Sequence, residues 1–370
     1  MIADRMAKLD ASGIRKVFDL AARMKNPVNL SIGQPDFDVP DPVQDAAVAA
    51  IRAGKNRYTV TQGIPELHAA LRERIRADKG FDPDGLLVTS GVSGALLLAF
   101  LVLINEGDEA LIPDPYFVMY KHLVNLAGGA PVFVDTYPDF RITADRIEKR
   151  LSPRTKLLLL NSPANPTGAV VPEEELPKIA DLARARDLLV ISDEIYDFFS
   201  YDAPARSIGP LYSNTLVMGG FSKSHAMTGW RLGYAAGPAD VIQEMTKLQQ
   251  FSFVCAPSFA QAAGLEALKT DTTPYVEAYR RKRDAIHQGL LDAGYDARKP
   301  EGAFYVFPRA PWGNDMEFVA EAIRNELLII PGSVFSEKNT HFRISYAASD
   351  ETIAKGLEVL ARLRARSGPG

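Results

Sequence analysis

LLVTSGVSGALLLAFLVLINEGDEALIPD, residues 86–114, decides the fold. LLVTS (86–90) is a short apolar run bounded by glycine, and EALIPD (109–114) is another. Between them ALLLAFLVLI (95–104) reads as a buried helix, too short to span a bilayer. Runs that are apolar at nearly every position suit strands buried on both faces. The same texture recurs in PVFVDT (131–136), KLLLLNS (156–162), LLVISDE (188–194), NTLVMGG (214–220) and RLGYAAG (231–237). Helical stretches such as EEELPKIADLARARD (173–187) separate them. Seven runs in this alternation predict a doubly wound α/β fold, a mostly parallel seven-stranded sheet flanked by helices.

Outside this block the pattern differs. Residues 12–25 read as a helix, followed by a loop rich in turn formers, NLSIGQPDFDVP (29–40). VQDAAVAAIRAG (43–54) and IPELHAALRERIRADKG (64–80) are amphipathic helices, the second with Pro65 at its first turn. After about residue 270 come a long charged helix (274–294), strand-like GAFYVFP (302–308) and FRISYA (342–347), and a closing helix (350–366). The division this predicts is a large α/β domain over 34–270 and a smaller α+β domain from 1–33 and 271–370.

The bulk numbers narrow the function. A chain of 370 residues with 46% hydrophobic and 24% charged residues suits two globular domains. A formal net charge of -4, from 46 acids and 42 bases, offers no overall attraction to nucleic acid or an anionic membrane. One cysteine, Cys255, leaves no intramolecular disulfide and no Cys-rich zinc site, and no metal is expected. The charged, amphipathic N-terminus lacks the apolar core of a signal peptide, so a cytoplasmic location is expected.

In open α/β sheets, ligands bind beyond the carboxyl ends of the strands. After LLVTS comes Gly91-Val92-Ser93-Gly94, which reads either as an anion site at a helix start or as a cap with Ser93 at N-cap. After EALIPD comes Pro115-Tyr116-Phe117, an aromatic placed either to stack on a flat ring or to pack in the core. After KLLLLNS comes Asn165-Pro166, an amide at a constrained turn; this bond and Asp114-Pro115 are candidates for cis peptides. After LLVIS comes Asp193-Glu194-Ile195-Tyr196, where a carboxylate at the end of an apolar strand needs a cation or a proton donor unless it caps a helix. After NTLVMGG comes Phe221-Ser222-Lys223, with Arg231 beyond it. A lysine in a dry pocket loses its charge readily and becomes a nucleophile toward carbonyls, whereas most lysines are surface amines.

Taken together, these groups match one ligand. A phosphorylated aromatic aldehyde calls for a Schiff-base lysine, an acid for its ring nitrogen, donors for its ring oxygen and a phosphate cradle. That ligand is pyridoxal 5′-phosphate (PLP). The Gly-rich loops of dinucleotide-binding and P-loop proteins are absent, which argues against a nicotinamide dehydrogenase.

The order of motifs resembles class I/II aminotransferases of PLP fold type I, and most of all their aspartate/aromatic branch. The resemblance is carried by IGQPDFDVP (32–40), YTVTQGIPELHAAL (58–71), NSPANPTGAV (161–170), SDEIYDFF (192–199), GGFSKSHAMTGWRLGYAAGP (219–238), PEGAFYVFP (300–308) and FRISYA (342–347). It implies that Lys223 forms the Schiff base and moves the proton between substrate and cofactor, and that Asp193 keeps the pyridine nitrogen protonated. It implies that Tyr196 and Asn165 donate to the ring hydroxyl oxygen, and that Arg231 and the backbone of Gly91, Val92 and Ser93 hold the phosphate. Phe117 is the implied stacking residue. Arg343, helped by the backbone of Gly33, is the implied clamp for the substrate carboxylate, with Asn165 and Phe117 also facing substrate; without the resemblance Arg343 reads as an exposed or ion-paired residue. Tyr58 is implied to reach the phosphate of a neighbouring subunit, so a homodimer with shared sites is expected.

The expected activity moves the amino group of an L-amino acid, aspartate or aromatic, to a 2-oxo acid, 2-oxoglutarate by first expectation, in a ping-pong cycle. Another PLP enzyme, such as a C–S β-lyase, is the alternative. A PLP-binding regulator is disfavoured because the match leaves no room for a preceding DNA-binding domain. Two positions depart from the family pattern: Gly220 stands where a phosphate-binding serine is frequent, and Phe117 where the aspartate enzymes carry tryptophan. His225 is expected to be structural. Lys55, Arg57 and Lys121 are the candidates for a second substrate carboxylate.

Overall fold

The structure is a computed structural model that describes residues 2–9, 24 and 26–365. The helix expected over 12–25 falls almost entirely outside the described residues. The strands, in chain order, are β1 (Val28–Asn29), β2 (Gly85–Thr89), β3 (Glu109–Asp114), β4 (Ala130–Asp135), β5 (Thr155–Asn161), β6 (Leu189–Asp193), β7 (Thr215–Gly220), β8 (Gly233–Gly237), β9 (Tyr305–Val306), β10 (Leu327–Leu328), β11 (Ile330–Pro331) and β12 (Phe342–Ser345).

Seven of them form the central sheet, in the order β2-β8-β7-β6-β5-β3-β4. β8 pairs antiparallel with both β7 and β2, and every other pairing is parallel. The near-continuous apolar runs arise because the sheet is covered on both faces. Along β5, Leu157 and Leu159 enter one core while Leu158 and Leu160 enter the opposite one. In β6, Leu189 and Ile191 face the first core and Val190 the second. The Gly91–Leu103 helix closes the first core with Val92, Ala95, Leu96 and Phe100, and the Leu176–Ala185 helix closes the second. Among the described residues no helix is long and apolar enough to cross a membrane.

A three-stranded antiparallel sheet, β11-β12-β9, and the parallel pair β1-β10 lie in the C-terminal region, with the first strand of that pair supplied by the N-terminus. Leu30 ties them together: its N–H donates to the Leu328 carbonyl and its carbonyl accepts from Ser345 N–H. Leu30, Phe304, Phe318, Phe342, Ile344 and Leu360 share one core, which also takes in Tyr196 and Phe199 from the loop after β6. The chain that continues from Leu30 therefore runs directly across the end of the large sheet.

Candidate active site

The parallel strands β2, β3, β5, β6 and β7 end at one edge of the large sheet. β8 runs the other way, so it begins at that edge: Gly233 is paired with both Thr89 and Gly220, the last residues of β2 and β7. The antiparallel strand therefore brings Arg231, which precedes β8, to the place where Lys223 follows β7. Residues from that edge and from the small sheet line a cavity of about 320 Å³. Gly33, Val92, Ser93, Phe117, Asn165, Asp193, Tyr196, Lys223, Arg231 and Arg343 all face it.

Lys223 Nζ donates to the Gly33 carbonyl at 2.7 Å and lies 5.9 Å from the centre of the Tyr196 ring. Loss of water around the ammonium, reinforced by the positive charges of Arg343 and Arg231, pulls its pKa down from 10.5 to about 8. Asp193 ends β6 and is 3% exposed. Its Oδ2 accepts from the Tyr120 hydroxyl at 2.7 Å and its Oδ1 from Ile195 N–H at 3.2 Å. Burial raises its pKa to about 6, against the opposing effect of those two hydrogen bonds. It is thus mainly anionic at neutral pH.

Arg343, 1% exposed, packs on two rings, its guanidinium carbon 4.6 Å from the centre of Tyr305 and 4.5 Å from that of Phe335. Nη1 donates to Asn165 Oδ1 at 3.0 Å and Nη2 to the Ser31 carbonyl at 2.8 Å, while Nε has no partner. No carboxylate among the described residues pairs with it. The guanidinium is therefore neither exposed nor ion-paired, and it retains donors for an anion. With Oδ1 engaged, Asn165 has Nδ2 available to a ligand.

At the opposite end, the Gly91–Leu103 helix starts three residues earlier than a Ser93 cap would require, and Ser90, at its N-cap, makes no side-chain capping bond. First-turn N–H groups without a capping side chain favour an anion. Arg231 stands beside them in the left-handed backbone region, at φ 56°. Its guanidinium donates to the Thr228 carbonyl at 2.9 Å and the Ser90 carbonyl at 3.2 Å. Gly91, at φ 66°, does not line the cavity but is needed here: a Cβ on it would sit 2.6 Å from Arg231 Nη2.

The model of the family described as "Aminotransferase class I and II" matches residues 25–360. The chain belongs to that family. It is 37% identical to the probable aspartate aminotransferase of Methanocaldococcus jannaschii, over 98% of this chain and all of that one. It is 36% identical to aromatic-amino-acid aminotransferase 2 of Thermococcus litoralis, over 98% of each chain. The aspartate aminotransferase of Thermus thermophilus, solved with maleate, superposes with a TM-score of 0.94 at 37% identity, covering 98% of this chain and 99% of that one.

The protein is therefore a PLP-dependent aminotransferase of fold type I. The cavity of this aminotransferase fits the cofactor. It has uncapped helix N–H groups and an arginine at one end, a buried carboxylate backed by a phenol at the base, and a lysine of depressed pKa on the wall.

Other expectations meet the geometry differently. Tyr58 is 84% exposed, beside Arg57, Phe253 and Cys255, and does not reach the cavity of its own chain. Lys55 and Arg57 are exposed, and Lys121 is paired with Glu337 at 3.2 Å. His225 is buried, bonded through Nδ1 to Ser224 Oγ at 2.8 Å, and burial lowers its pKa to about 4, which agrees with a structural role. A Cβ on Gly220 would lie 2.9 Å from Gly233 Cα and 3.0 Å from the Leu232 carbonyl, so the β7–β8 crossing leaves no space for a serine. Both bonds expected as candidates for cis, Asp114-Pro115 and Asn165-Pro166, are cis.

Four residues escaped the sequence reading. Tyr120 supports Asp193, and Asn161 Nδ2 donates to the Asp193 carbonyl at 3.0 Å. Tyr305 touches both Tyr196 and Arg343. Lys79 donates to Glu194 at 2.7 Å and to Asp197, fixing the loop that follows Asp193. The apolar context of Tyr120 and Tyr305 makes them indistinguishable from core aromatics in sequence, and Lys79 closes a charged helix as many lysines do.

Proposed function

We propose that this aminotransferase moves the amino group of an L-amino acid, aspartate or an aromatic one, to a 2-oxo acid, with 2-oxoglutarate as acceptor, in a ping-pong cycle. The observation that carries the reading is that Lys223, Asp193 and Arg343 face one cavity from three different elements. PLP supplies an aldehyde that bonds amines and a ring that accepts the electron pair left at the substrate Cα. Asp193, largely anionic at pH 7, holds a proton on the ring nitrogen. Lys223 would be the amine that holds the cofactor's aldehyde carbon and the base that carries the substrate Cα proton. Its depressed pKa supports both tasks, because a neutral amine is accessible near neutral pH.

Arg231 and the first-turn N–H groups of Val92 and Ser93 would hold the phosphate, with Gly91 leaving room for the guanidinium. Tyr196 and Asn165 Nδ2 would donate to the ring oxygen, and Phe117 would cover the ring. Arg343, packed against Tyr305 and Phe335, takes the substrate carboxylate, with Gly33 beside it. Among the described lining residues the cations are Lys223, Arg231 and Arg343. All three have these duties, while Ile32 and Phe117 offer an apolar wall to an aromatic side chain. The names of relatives support aspartate as well as aromatic donors. Those relatives match nearly the whole chain and are named as aminotransferases, so a C–S β-lyase is not favoured.

The proposed assembly is a homodimer with Tyr58 reaching the other subunit's phosphate. Its 84% exposure, beside the 36%-exposed Phe253, supports an interface on that face. The proposed domain division is 34–270 against 1–33 with 271–370, supported by the separate cores of the large and small sheets. A cytoplasmic setting is supported by the single cysteine.

A donor panel of aspartate, tyrosine, phenylalanine, kynurenine, alanine and methionine, each with 2-oxoglutarate, tests the substrate. Aspartate or an aromatic donor should give the highest kcat/KM. Preference for alanine or methionine, or release of ammonia without an acceptor, would reject the proposal.

A further inference from the structure

Tyr305 has no assigned duty in the reading above, yet it touches both halves of the site. It sits on β9, paired with Ser345 of β12, and is 1% exposed. Its hydroxyl lies 2.9 Å from the Tyr196 hydroxyl, its one recorded hydrogen-bond partner. Its ring carries the Arg343 guanidinium at 4.6 Å. The hydroxyl also fills the space that glycine leaves at position 33: a Cβ there would sit 2.8 Å from it. Gly33 in turn supplies the carbonyl that Lys223 donates to.

The hydroxyl pair has a simple proton count. Two phenols carry two protons, and their mutual bond uses one. If Tyr305 is the donor, the proton of Tyr196 is left to point into the cavity. A phenol that accepts a hydrogen bond is also a stronger donor onward, because the bonds polarise one another. Both phenols line the cavity, but only Tyr196 is assigned to the cofactor's ring oxygen, while the Tyr305 hydroxyl is held by Gly33 on one side and Tyr196 on the other.

We propose that Tyr305 is a positioning residue with two separable duties: its hydroxyl commits the Tyr196 proton to the bound cofactor, and its ring holds Arg343 in the plane that receives the substrate carboxylate. This rests on the proposed roles of Tyr196 and Arg343. The hydroxyl duty acts on the bound cofactor, since a better donor at the ring oxygen favours the form in which that oxygen is anionic. The ring duty acts on an anion in the substrate position and is independent of the hydroxyl.

The test uses purified holoenzyme with Tyr305→Phe and Tyr305→Leu. Two quantities are read in each: the pH midpoint of the cofactor's near-visible absorption band, and the affinity for maleate, an unreactive dicarboxylate, from its effect on that band. A neutral hydrogen bond contributes about 1 kcal/mol, so Tyr305→Phe should move the midpoint upward by roughly half to one pH unit. It should leave maleate affinity within about twofold, since the ring remains. Tyr305→Leu should shift the midpoint similarly and also weaken maleate by about thirtyfold, as expected for loss of one desolvated cation–π contact. A residue that only filled space would not separate the two readouts. A Tyr305→Phe midpoint equal to wild type, or equal loss of maleate binding in both variants, overturns the proposal. A wild type whose band neither titrates nor responds to maleate overturns the parent reading and this one together.

Discussion

Tyr120, on the Met119–Leu126 helix, donates its phenolic proton to Oδ2 of Asp193 at 2.7 Å, and neither residue is more than 3% exposed. The phenol keeps a buried carboxylate ionised. Burial alone would push Asp193 further up, and the Tyr120 bond acts against it. Tyr120→Phe should therefore raise the Asp193 pKa above about 6 and weaken PLP binding. A hydrogen bond to a charged group contributes about 1.5–3 kcal/mol, so the loss should reach tenfold or more at pH 6. It should shrink as pH rises toward 8, because a growing share of Asp193 is ionised in the variant. Equilibrium dialysis of PLP at the two pH values measures this.

Lys223 should be costly to the cofactor-free protein. Its pKa in the folded chain is about 8, against 10.5 for an ordinary lysine. Between those values the unfolded chain binds more protons, so stability rises with pH across that window. Below about pH 8 the penalty is complete. Lys223→Met should hence melt higher than wild type at pH 7 without PLP, by an amount on the order of 1–3 kcal/mol, at roughly 1.4 kcal/mol per pKa unit. That advantage should fade by pH 10.5. The same variant should show no near-visible band with PLP and no measurable turnover. Calorimetry and absorbance report the two halves of the prediction.

Gly220→Ser restores the residue frequent in the family and should nevertheless impair this protein. Its Cβ would press on Gly233 Cα and the Leu232 carbonyl, both backbone atoms that cannot rotate away. Overpacking of this kind costs about 1–3 kcal/mol. Denaturant melts should shift down by that amount, and PLP affinity should fall or stay level. A gain in both would show that the β7–β8 crossing yields more readily than the geometry indicates.

Lys79→Met should destabilise by about 3–5 kcal/mol, the range for breaking a buried ion pair from one side. The side chains of Lys79 and Glu194 are 7% and 5% exposed. Although burial opposes its charge, Asp197 and Glu194 hold the Lys79 pKa well above that of an ordinary lysine. Lys79→Met with Glu194→Gln should recover part of the loss, and a double-mutant cycle by urea denaturation measures the coupling.

The seven strands were readable because burial on both faces leaves runs without polar interruptions, as in β5 and β6. That Lys223, Asp193, Asn165 and Arg343 would share one cavity was readable because each stands in a distinctive motif. Tyr120 was not, because its partner Asp193 is 73 positions away and nothing local marks a phenol as a proton donor. The constraint on Gly220 was also hidden. It arises from contact with Gly233, across a pairing that only the sheet topology reveals. Arg231 could be chosen by motif, but its arrival at the strand-end edge depends on the reversed direction of β8, which hydrophobic patterning does not encode.

That reversal has a mechanical consequence. β7 and β8 are the two arms of one hairpin, and residues 221–232 are its tip. The Lys223 amine and the Arg231 guanidinium thus ride on one continuous piece of chain, anchored at both ends in adjacent interior strands of the sheet. A twist or tilt of this hairpin would carry both groups together, so their spacing is insulated from breathing of the flanking helices. Lengthening the tip by even one residue would alter that spacing directly, so residues 221–232 should tolerate insertion poorly.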